Sequence, residues 1–486
     1  MIRVYNTLGG KKEDFKPLDG KNVKMYCCGP TVYDFLHCGN FRGPVFYNFL
    51  KNWLTRQGYN VTYVYNFTDV DDKIINRAKE ESKTPQEIAN TYTKEFWNDF
   101  NALELTPHDC NPKVTETMPE IIALVERLIA AGKAYAIDGD VFFSVGDFEE
   151  YGKLTGKNTD ELESGHRVEP NPKKRNELDF ALWKSAKEGE QGWSSPWGLG
   201  RPGWHIECTA MIHKHLGEQI DIHGGGLDLT FPHHENEIAQ SQGATGKPYV
   251  KYWLHNNMFT FDGKKMSKSL GNIRTMRSFL ERFPPEVFKY LTLSVHYRTV
   301  ADFSDSSIQR SIAGLARIYS ALAVADHVLS SAGGIEPATS PNSVSSEIAE
   351  AIPSIEKSLN DDFNTPEAFA RFFEIVRKFN SEVRRGKKVS SENLAKAKAL
   401  KTFFSDMGNL FALFQQEPNQ FLKDLDDLLL KQKNLDRSAI QSLVTTRNVA
   451  REDKDWAKSD QLRDELVGLG IELQDLPSGT HWEVKK

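Results

Sequence analysis

Two strand–helix–strand units, one near the start of the chain and one near position 220, predict an α/β protein with a doubly wound parallel sheet. A change to helical periodicity after Val300 adds an α-helical bundle, and a charged helix followed by a short apolar strand adds a small mixed α/β domain at the C-terminus. In the first unit VKMYCC is an apolar run ended by Gly29-Pro30. Val45, Phe49 and Trp53 then recur at four-residue spacing with Phe46, Leu50 and Leu54 beside them, which makes one buried helix face. Gly58 stops that helix, and Val61 to Phe67 is a β-branched and aromatic strand, so the crossover is right-handed between parallel strands. The second unit reads as a strand at Glu218–His223, a tight turn at Gly224-Gly225-Gly226, a helix at Phe231–Ala244 and a strand at Val250–His255.

Between the units, about 106–200, the texture changes to a helix at Pro119–Ala131, a hairpin AYAIDGDVFFSV and the basic stretch HRVEPNPKKRNELDF, read as an insertion in one sheet domain. The expected domains are therefore 1–300, with a lysine-loop region at about 256–300, then a helical bundle at 301–425 and a C-terminal domain at 426–486. Ser330 to Ser346 is a loop between helices, and RNVAREDKDWAKSDQLRDELVGLG is one amphipathic helix closed by Gly470.

Composition narrows the function classes. The 486 residues are 39% hydrophobic and 26% charged, and no apolar run approaches the roughly 18 residues that cross a bilayer, so no membrane partner is expected. MIRVYNTLGGKKEDF has no apolar h-region behind a basic start, and Cys27, Cys28, Cys38, Cys110 and Cys208 are an odd number of scattered thiols. Both features point to a reducing, cytoplasmic setting. Net charge is −6, so a nucleic-acid partner needs locally gathered cations. Gly263 to Leu280 supplies five basic residues and no acid.

His37-Cys38-Gly39-Asn40 lies where a strand–turn feeds a helix, a place where backbone N–H groups and the helix dipole favour phosphate. A His beside a Gly at a helix start serves as readily as a cap. The loop Lys264-Lys265-Met266-Ser267-Lys268-Ser269-Leu270-Gly271 presents three lysines and two hydroxyls able to stabilise a leaving pyrophosphate. HCGN followed by KMSKS at the end of the same sheet domain resembles the paired HIGH and KMSKS signatures of class I aminoacyl-tRNA synthetases. Metal donors also recur: Cys28 ends the first strand, Cys208 lies in RPGWHIECTAM, and FPHHENEIAQ puts His233 and Glu237 one helical turn apart. These four make a zinc-type cluster, with Cys27 and His234 as neighbouring rivals.

The segments CCGPTVYDFLHCGN, NFTDVDDKI, RPGWHIECTAM, DIHGGGLDLTFPHHENEIAQ and NNMFTFDGKKMSKSLGN closely resemble the cysteinyl-tRNA synthetase family, in order along nearly the whole chain. The resemblance implies a Rossmann-like catalytic domain and one Zn²⁺ per chain on Cys28, Cys208, His233 and Glu237, to which the substrate cysteine adds its thiolate. Serine differs by one atom, and size alone separates such substrates by only about 1–3 kcal/mol, whereas a soft thiolate–zinc bond does more without an editing domain. The same carry-over places Gly29, Thr31, Trp204 and Asp228 at the amino acid, with Asp228 facing its ammonium group. It places His37 and Asn40 at ATP, and Lys265 and Lys268 at the phosphates with Mg²⁺. Arg451, Trp456, Asp460, Arg463 and Asp475 fall on the anticodon. The implied reaction forms cysteinyl-adenylate and passes the cysteinyl group to the 2′-OH of the terminal adenosine of tRNA(Cys), releasing AMP and pyrophosphate; the implied oligomeric state is a monomer.

Two departures stand out: Cys38 occupies a position where Ile or Leu is usual, and Asn40 one where many relatives have a second His. Cys38 is expected to be an oxidation-sensitive thiol near the site. Rival readings are a ligase forming a cysteinyl amide on a small amine, a catalytically inactive tRNA-binding paralogue, and a zinc hydrolase. The first needs no anticodon-reading end, the intact lysine loop and ligand positions oppose the second, and the third leaves that loop unexplained.

Overall fold

The apolar run before Cys28 forms β1 (Asn22–Cys27), the HCGN segment opens α1 (Cys38–Arg56), and β2 (Asn60–Tyr65) returns beside β1 with Asn22 opposite Asn60 and Cys27 opposite Tyr65. In this computed structural model residues 1–157, 171–187, 190–261, 263–265, 274–386, 389–476 and 479–486 are described, Lys264, Lys265 and Leu476 by backbone alone. Phe46, Phe49, Leu50, Trp53 and Leu54 line the buried face of α1, as their spacing requires.

The second unit runs α2 (Trp204–His215), β3 (Ile220–Gly226), α3 (Glu235–Thr245) and β4 (Val250–Asn256). The four strands pair in parallel in the order β4–β3–β1–β2. From β1 the chain crosses to one side of the sheet, and from β3 to the other. The carboxyl ends of β1 and β3 therefore diverge and open a crevice between neighbouring strands, where open α/β sheets hold ligands.

Two local readings change. Gly224, Gly225 and Gly226 are strand residues, the first two buried, and they form no tight turn. They are small because of what packs on them: a Cβ on Gly224 would stand 2.5 Å from the Tyr47 ring and 2.7 Å from Cys27 Sγ, and one on Gly225 would stand 2.8 Å from His234. The helix expected from Phe231 starts at Glu235 instead. Phe231 precedes Pro232, which disfavours helical backbone, and it is extended at φ −137° and ψ 134°, so Thr230–His234 is a separate turn.

The chain divides into two compact units, 1–277 with 296–301 and 360–363, and 278–295 with 302–359 and 364–486. Within the first, the insertion comprises a helix at Met118–Ala130 and a five-stranded sheet whose described strands include the Ala134–Ile137 and Asp140–Phe143 hairpin. β5 (Phe259–Phe261) follows β4 and pairs antiparallel with Lys264–Lys265.

The second unit carries helices α4 (Asp305–Ser330), α5 (Ser343–Asn360), α6 (Thr365–Glu382), α7 (Ser391–Phe411) and α8 (Pro418–Gln432). α4 matches a membrane span in length and composition, but Ile308, Ile312, Leu315, Tyr319 and Leu322 are buried in the bundle, Tyr319 stacked on Phe421 of α8. The charged C-terminal helix is in fact two, α9 (Arg437–Glu452) and α10 (Trp456–Gly468). Lys454 adopts a left-handed φ of +59°, and the Asp455 carboxylate accepts a hydrogen bond from Lys458 N at 3.1 Å, so an Asp placed to cap ends one helix and starts the next. β6 (Ile471–Leu476) and β7 (Gly479–Val484) close the domain as an antiparallel hairpin. Asp475 of β6 accepts two hydrogen bonds from the buried Arg447, at 2.8 and 3.0 Å, and one from Thr480 at 2.8 Å, and it also pairs with Arg451.

Two outcomes follow for stability. Gly224→Ala forces Tyr47 or Cys27 to shift inside a packed sheet and is expected to destabilise by about 1–3 kcal/mol in denaturant unfolding, whereas an unchanged midpoint would refute that account of the glycine. The hydrogen bonds from Arg447 hold the Asp475 carboxyl well below the usual carboxylate range, so its contribution is present above the ordinary Asp pKa and fades as pH falls through the depressed value. Asp475→Asn is expected to lower the unfolding temperature of the protein at neutral pH, with the gap from the native sequence narrowing on acidification. A gap that widens in acid would contradict it.

Candidate active site and metal centre

The crevice at the ends of β1 and β3 deepens into a cavity of about 410 Å³, lined among others by Cys28, Gly29, Thr31, His37, Asn40, Trp204, Cys208, Asp228 and His233. Residues from four separate segments of the sequence thus meet in one pocket of one unit.

At its deep end lies a cluster of soft and borderline donors. Cys28 Sγ stands 3.8 Å from Cys208 Sγ, 3.6 Å from Glu237 Oε1 and 3.4 Å from His234 Nε2. His233 Nε2, from the turn that leads into α3, is 3.1 Å from the same Glu237 oxygen, so the two residues meet as their four-residue spacing anticipates. Two thiolates about 2.3 Å from a tetrahedral ion would be separated by roughly the Sγ–Sγ distance seen here. Donor atoms of Cys28, His233, His234 and Glu237 lie within 4.8 Å of one another, so His234 competes with Cys208 for the fourth place. His234 Nδ1 is 2.7 Å from His255 Nε2, and His255 Nδ1 is 2.7 Å from Thr7 Oγ1, a chain that orients the ring and leaves Nε2 facing Cys28. The other rival, Cys27, lies outside the cluster, since successive strand residues face opposite sides, and its thiol packs beside Tyr63 with burial pushing its pKa up.

Electrostatics in the cluster suit a cation. Glu237 is fully buried, which would raise its pKa, yet His223 and His233 bring it down to about 2. Its second oxygen receives His223 Nε2 at 3.0 Å and the Tyr249 hydroxyl at 3.1 Å. The Cys28 hydrogen bond favours the Cys208 thiolate and lowers that pKa against the effect of burial, while burial pushes the Cys28 thiol up. A divalent ion bound there would favour the deprotonated form of every one of these ligands and draw their protons away. His205 Nδ1 sits 3.0 Å from His233 Nδ1 and fixes the outer face of that ring.

The Trp204 ring stacks on His233 at 4.3 Å between centroids, lines the cavity and is 40% exposed. Gly29 permits the close approach of the opposite strand: a Cβ there would overlap Asn66 O at 1.6 Å. Asp228 occupies a short 3₁₀ turn after β3 and is exposed toward the same space, while Thr31 bridges to Thr68 beside β2.

At the other end His37 is the N-cap of α1, whose first turn carries no acid, so the positive end of a 19-residue helix faces the cavity. Asn40 Oδ1 accepts from His37 N at 3.1 Å, which turns the acceptor end of the amide toward the cap and leaves its NH₂ as the donor end. Cys38 does not behave as the reactive thiol expected of it. It is 0% exposed, burial pushes its pKa up, and its Sγ faces Thr275 O at 3.7 Å, so it packs as a small apolar residue. Backbone bonds Cys38 N–Arg274 O and Met276 N–Leu36 O, each 2.9 Å, tie this signature to the segment that ends the lysine loop. Lys265 is described by its backbone alone, opposite Thr260, and Lys268 lies outside the described residues.

The expected RNA-reading residues occupy the C-terminal part of the second unit. Trp456 is 60% exposed at the start of α10, and Asp460 and Arg463 are exposed farther along it, with no ion pair joining them among the described residues. Arg451 lies in the last turn of α9 and shares Asp475 with Arg447. Sequence reasoning missed Arg447, His205, His223, Tyr249 and His255. The signal for His223 was present, as a lone imidazole in the apolar strand IDIH, but its partner Glu237 comes from another element.

The model of the tRNA synthetases class I (C) catalytic domain matches residues 14–313, a DALR domain model matches 354–415, and that of the cysteinyl-tRNA ligase anticodon binding domain matches 437–482. A cysteine–tRNA ligase from Bdellovibrio bacteriovorus is 54% identical over 487 residues, covering 100% of both chains, and one from Syntrophotalea carbinolica is 46% identical over 486 residues with the same coverage. Among solved structures, Mycobacterium tuberculosis methionyl-tRNA synthetase in complex with methionyl-adenylate superposes with a TM-score of 0.62 at 14% identity, covering 83% of this chain and 93% of that one, a likeness of fold. The chain belongs to the cysteine–tRNA ligase family of class I aminoacyl-tRNA synthetases.

Proposed function

We propose that the cavity activates L-cysteine with ATP and passes the cysteinyl group to tRNA(Cys), with a zinc ion on Cys28, Cys208, His233 and Glu237 selecting the amino acid by its thiol. The observation that carries this reading is the placement of a two-thiol, imidazole and carboxylate cluster at the deep end of a cavity whose outer end is a helix N-terminus. Zinc bound there would supply a soft Lewis acid that takes a thiolate in preference to an alcohol. Two thiol donors suit it, and His223 and Tyr249 hold the carboxylate donor in place as outer partners.

The remaining roles belong to the chain itself. Trp204 and Gly29 shape the amino-acid end, and the Asp228 carboxylate faces the substrate ammonium group. The α1 N-terminus, His37 and the Asn40 amide orient the triphosphate, and Lys265 and Lys268, with the Mg²⁺ that accompanies ATP, meet the charge on departing pyrophosphate. The cysteine carboxylate then attacks the α-phosphorus in line with that leaving group. Orientation and preorganised charge account for the acceleration, and no side chain is assigned as general base. In the second step the 2′-OH of the terminal adenosine attacks the adenylate carbonyl and AMP leaves. Residues 1–300 carry this chemistry, 301–425 contact the body of the tRNA, and 426–486 read the anticodon through Arg451, Trp456, Asp460, Arg463 and Asp475, with the exposed indole as stacking platform.

The test is ATP–pyrophosphate exchange with cysteine and with serine, on the native sequence and Cys208→Ser, with bound zinc measured on both. Exchange is expected with cysteine and at least ~10³-fold less with serine, more than size exclusion provides. Cys208→Ser is expected to lose zinc and exchange together. A native protein that holds zinc but supports no exchange with cysteine would overturn the reading.

A further inference from the structure

Arg42 lies in the second turn of α1, just past Asn40, and is 1% exposed. No carboxylate pairs with it among the described residues. Its guanidinium instead donates to backbone carbonyls of two separate segments: Nη1 to Met258 O at 2.6 Å, and Nη2 to Thr299 O at 2.6 Å, with His296 O and Tyr297 O at 3.4 Å. Phe259 closes the site from one side, its ring 5.1 Å from the guanidinium carbon. Burial lowers the Arg42 pKa only to about 10, so the group stays charged at neutral pH. A buried cation satisfied by carbonyl dipoles alone is a costly way to fill space, which an apolar residue would do more cheaply. What the planar fork uniquely offers is a rigid span between two backbones.

Those backbones form one wall of the cavity. Asn257 N donates to Tyr297 O at 2.8 Å and Asn257 Nδ2 to Arg298 O at 3.0 Å, so the segments at 257–259 and 296–299 are laced together above Arg42. Asn256, Asn257, Met258 and Phe259 line the same cavity as His37, Gly39 and Asn40, and a Cβ on Gly43 of α1 would stand 3.3 Å from Asn256 Oδ1, so this wall packs against the start of the helix.

We propose that Arg42 is a positioning residue for the nucleotide side of the cavity, holding the Asn257–Phe259 wall at a fixed distance from the α1 N-terminus so that ATP enters a preformed slot. The proposal rests on the synthetase reading and adds to it a division of labour: loss of Arg42 disturbs ATP and leaves the metal and the thiol untouched. Arg42→Met removes the charge and the span, and Arg42→Lys keeps the charge but offers a single ammonium in place of the fork.

The experiment uses the full-length zinc-loaded protein and measures exchange with ATP and cysteine varied separately, together with bound zinc and thermal unfolding. Both variants are expected to raise the KM for ATP by about tenfold or more, a loss of the size that small misplacements produce. The KM for cysteine is expected to stay within about twofold and the zinc content to stay at the native level, a split that a general loss of structure would not give. Should Arg42→Met fail to fold, Arg42→Lys carries the test. Parallel rises in both KM values, a loss of zinc, or an ATP KM unchanged in a folded variant would overturn the proposal. If the native protein itself shows no exchange, the synthetase reading falls, and the role of Arg42 falls with it.

Discussion

A single buried carboxylate organises the centre of this molecule. Glu237 has no exposure, and an ionised carboxyl taken out of water costs several kcal/mol (about 3–5 when a partner is removed) unless its lone pairs are matched. Each oxygen is matched from different elements: one by His223 of β3 and Tyr249 just before β4, the other by His233 and Cys28. The carboxylate therefore locks β1, β3 and α3 together at the point where the sheet connections diverge. Whatever ligand enters the crevice meets donors whose positions are already determined.

The rest of the fold accommodates that arrangement. Gly224 and Gly225 give up side chains so that Tyr47 and His234 can pack across β3, and Tyr47 in turn donates to Leu254 O at 2.7 Å and accepts from Gly225 N at 2.8 Å. The strand ends are thus held by α1, the same helix whose N-terminus forms the phosphate-favouring end of the cavity. In the proposed function, amino-acid recognition and nucleotide recognition would share one helix and one pocket. The two chemistries can be tuned separately, one by donor softness and the other by backbone placement.

Much of this was legible in the residues. The alternation of apolar runs with helical periodicity predicted the parallel sheet, because one-sided burial imposes those periods directly. HCGN at a helix start was visible, and so was the gathering of Cys28, His233 and Glu237, because chemistry restricts residue type; whether Cys208 or His234 completes that group is not marked in the sequence. Less legible was whatever depends on contacts between elements. The glycine run looks like a turn until Tyr47 and His234 are seen to need its space. The charged C-terminal helix looks continuous until Asp455 caps a new one, and Cys38 looks reactive until burial removes it from solvent. Partners such as His223, Arg447 and Arg42 act across long sequence separations, and nothing local marks them.

The central claim is that the amino acid is recognised by its sulfur at the Glu237-anchored cluster. X-ray absorption at the zinc edge, on the zinc-loaded protein with and without saturating cysteine, addresses it most directly. The account predicts one additional sulfur neighbour at about 2.3 Å when cysteine is added and no change when serine is added. A first coordination sphere that is the same with cysteine, with serine and with neither would contradict it.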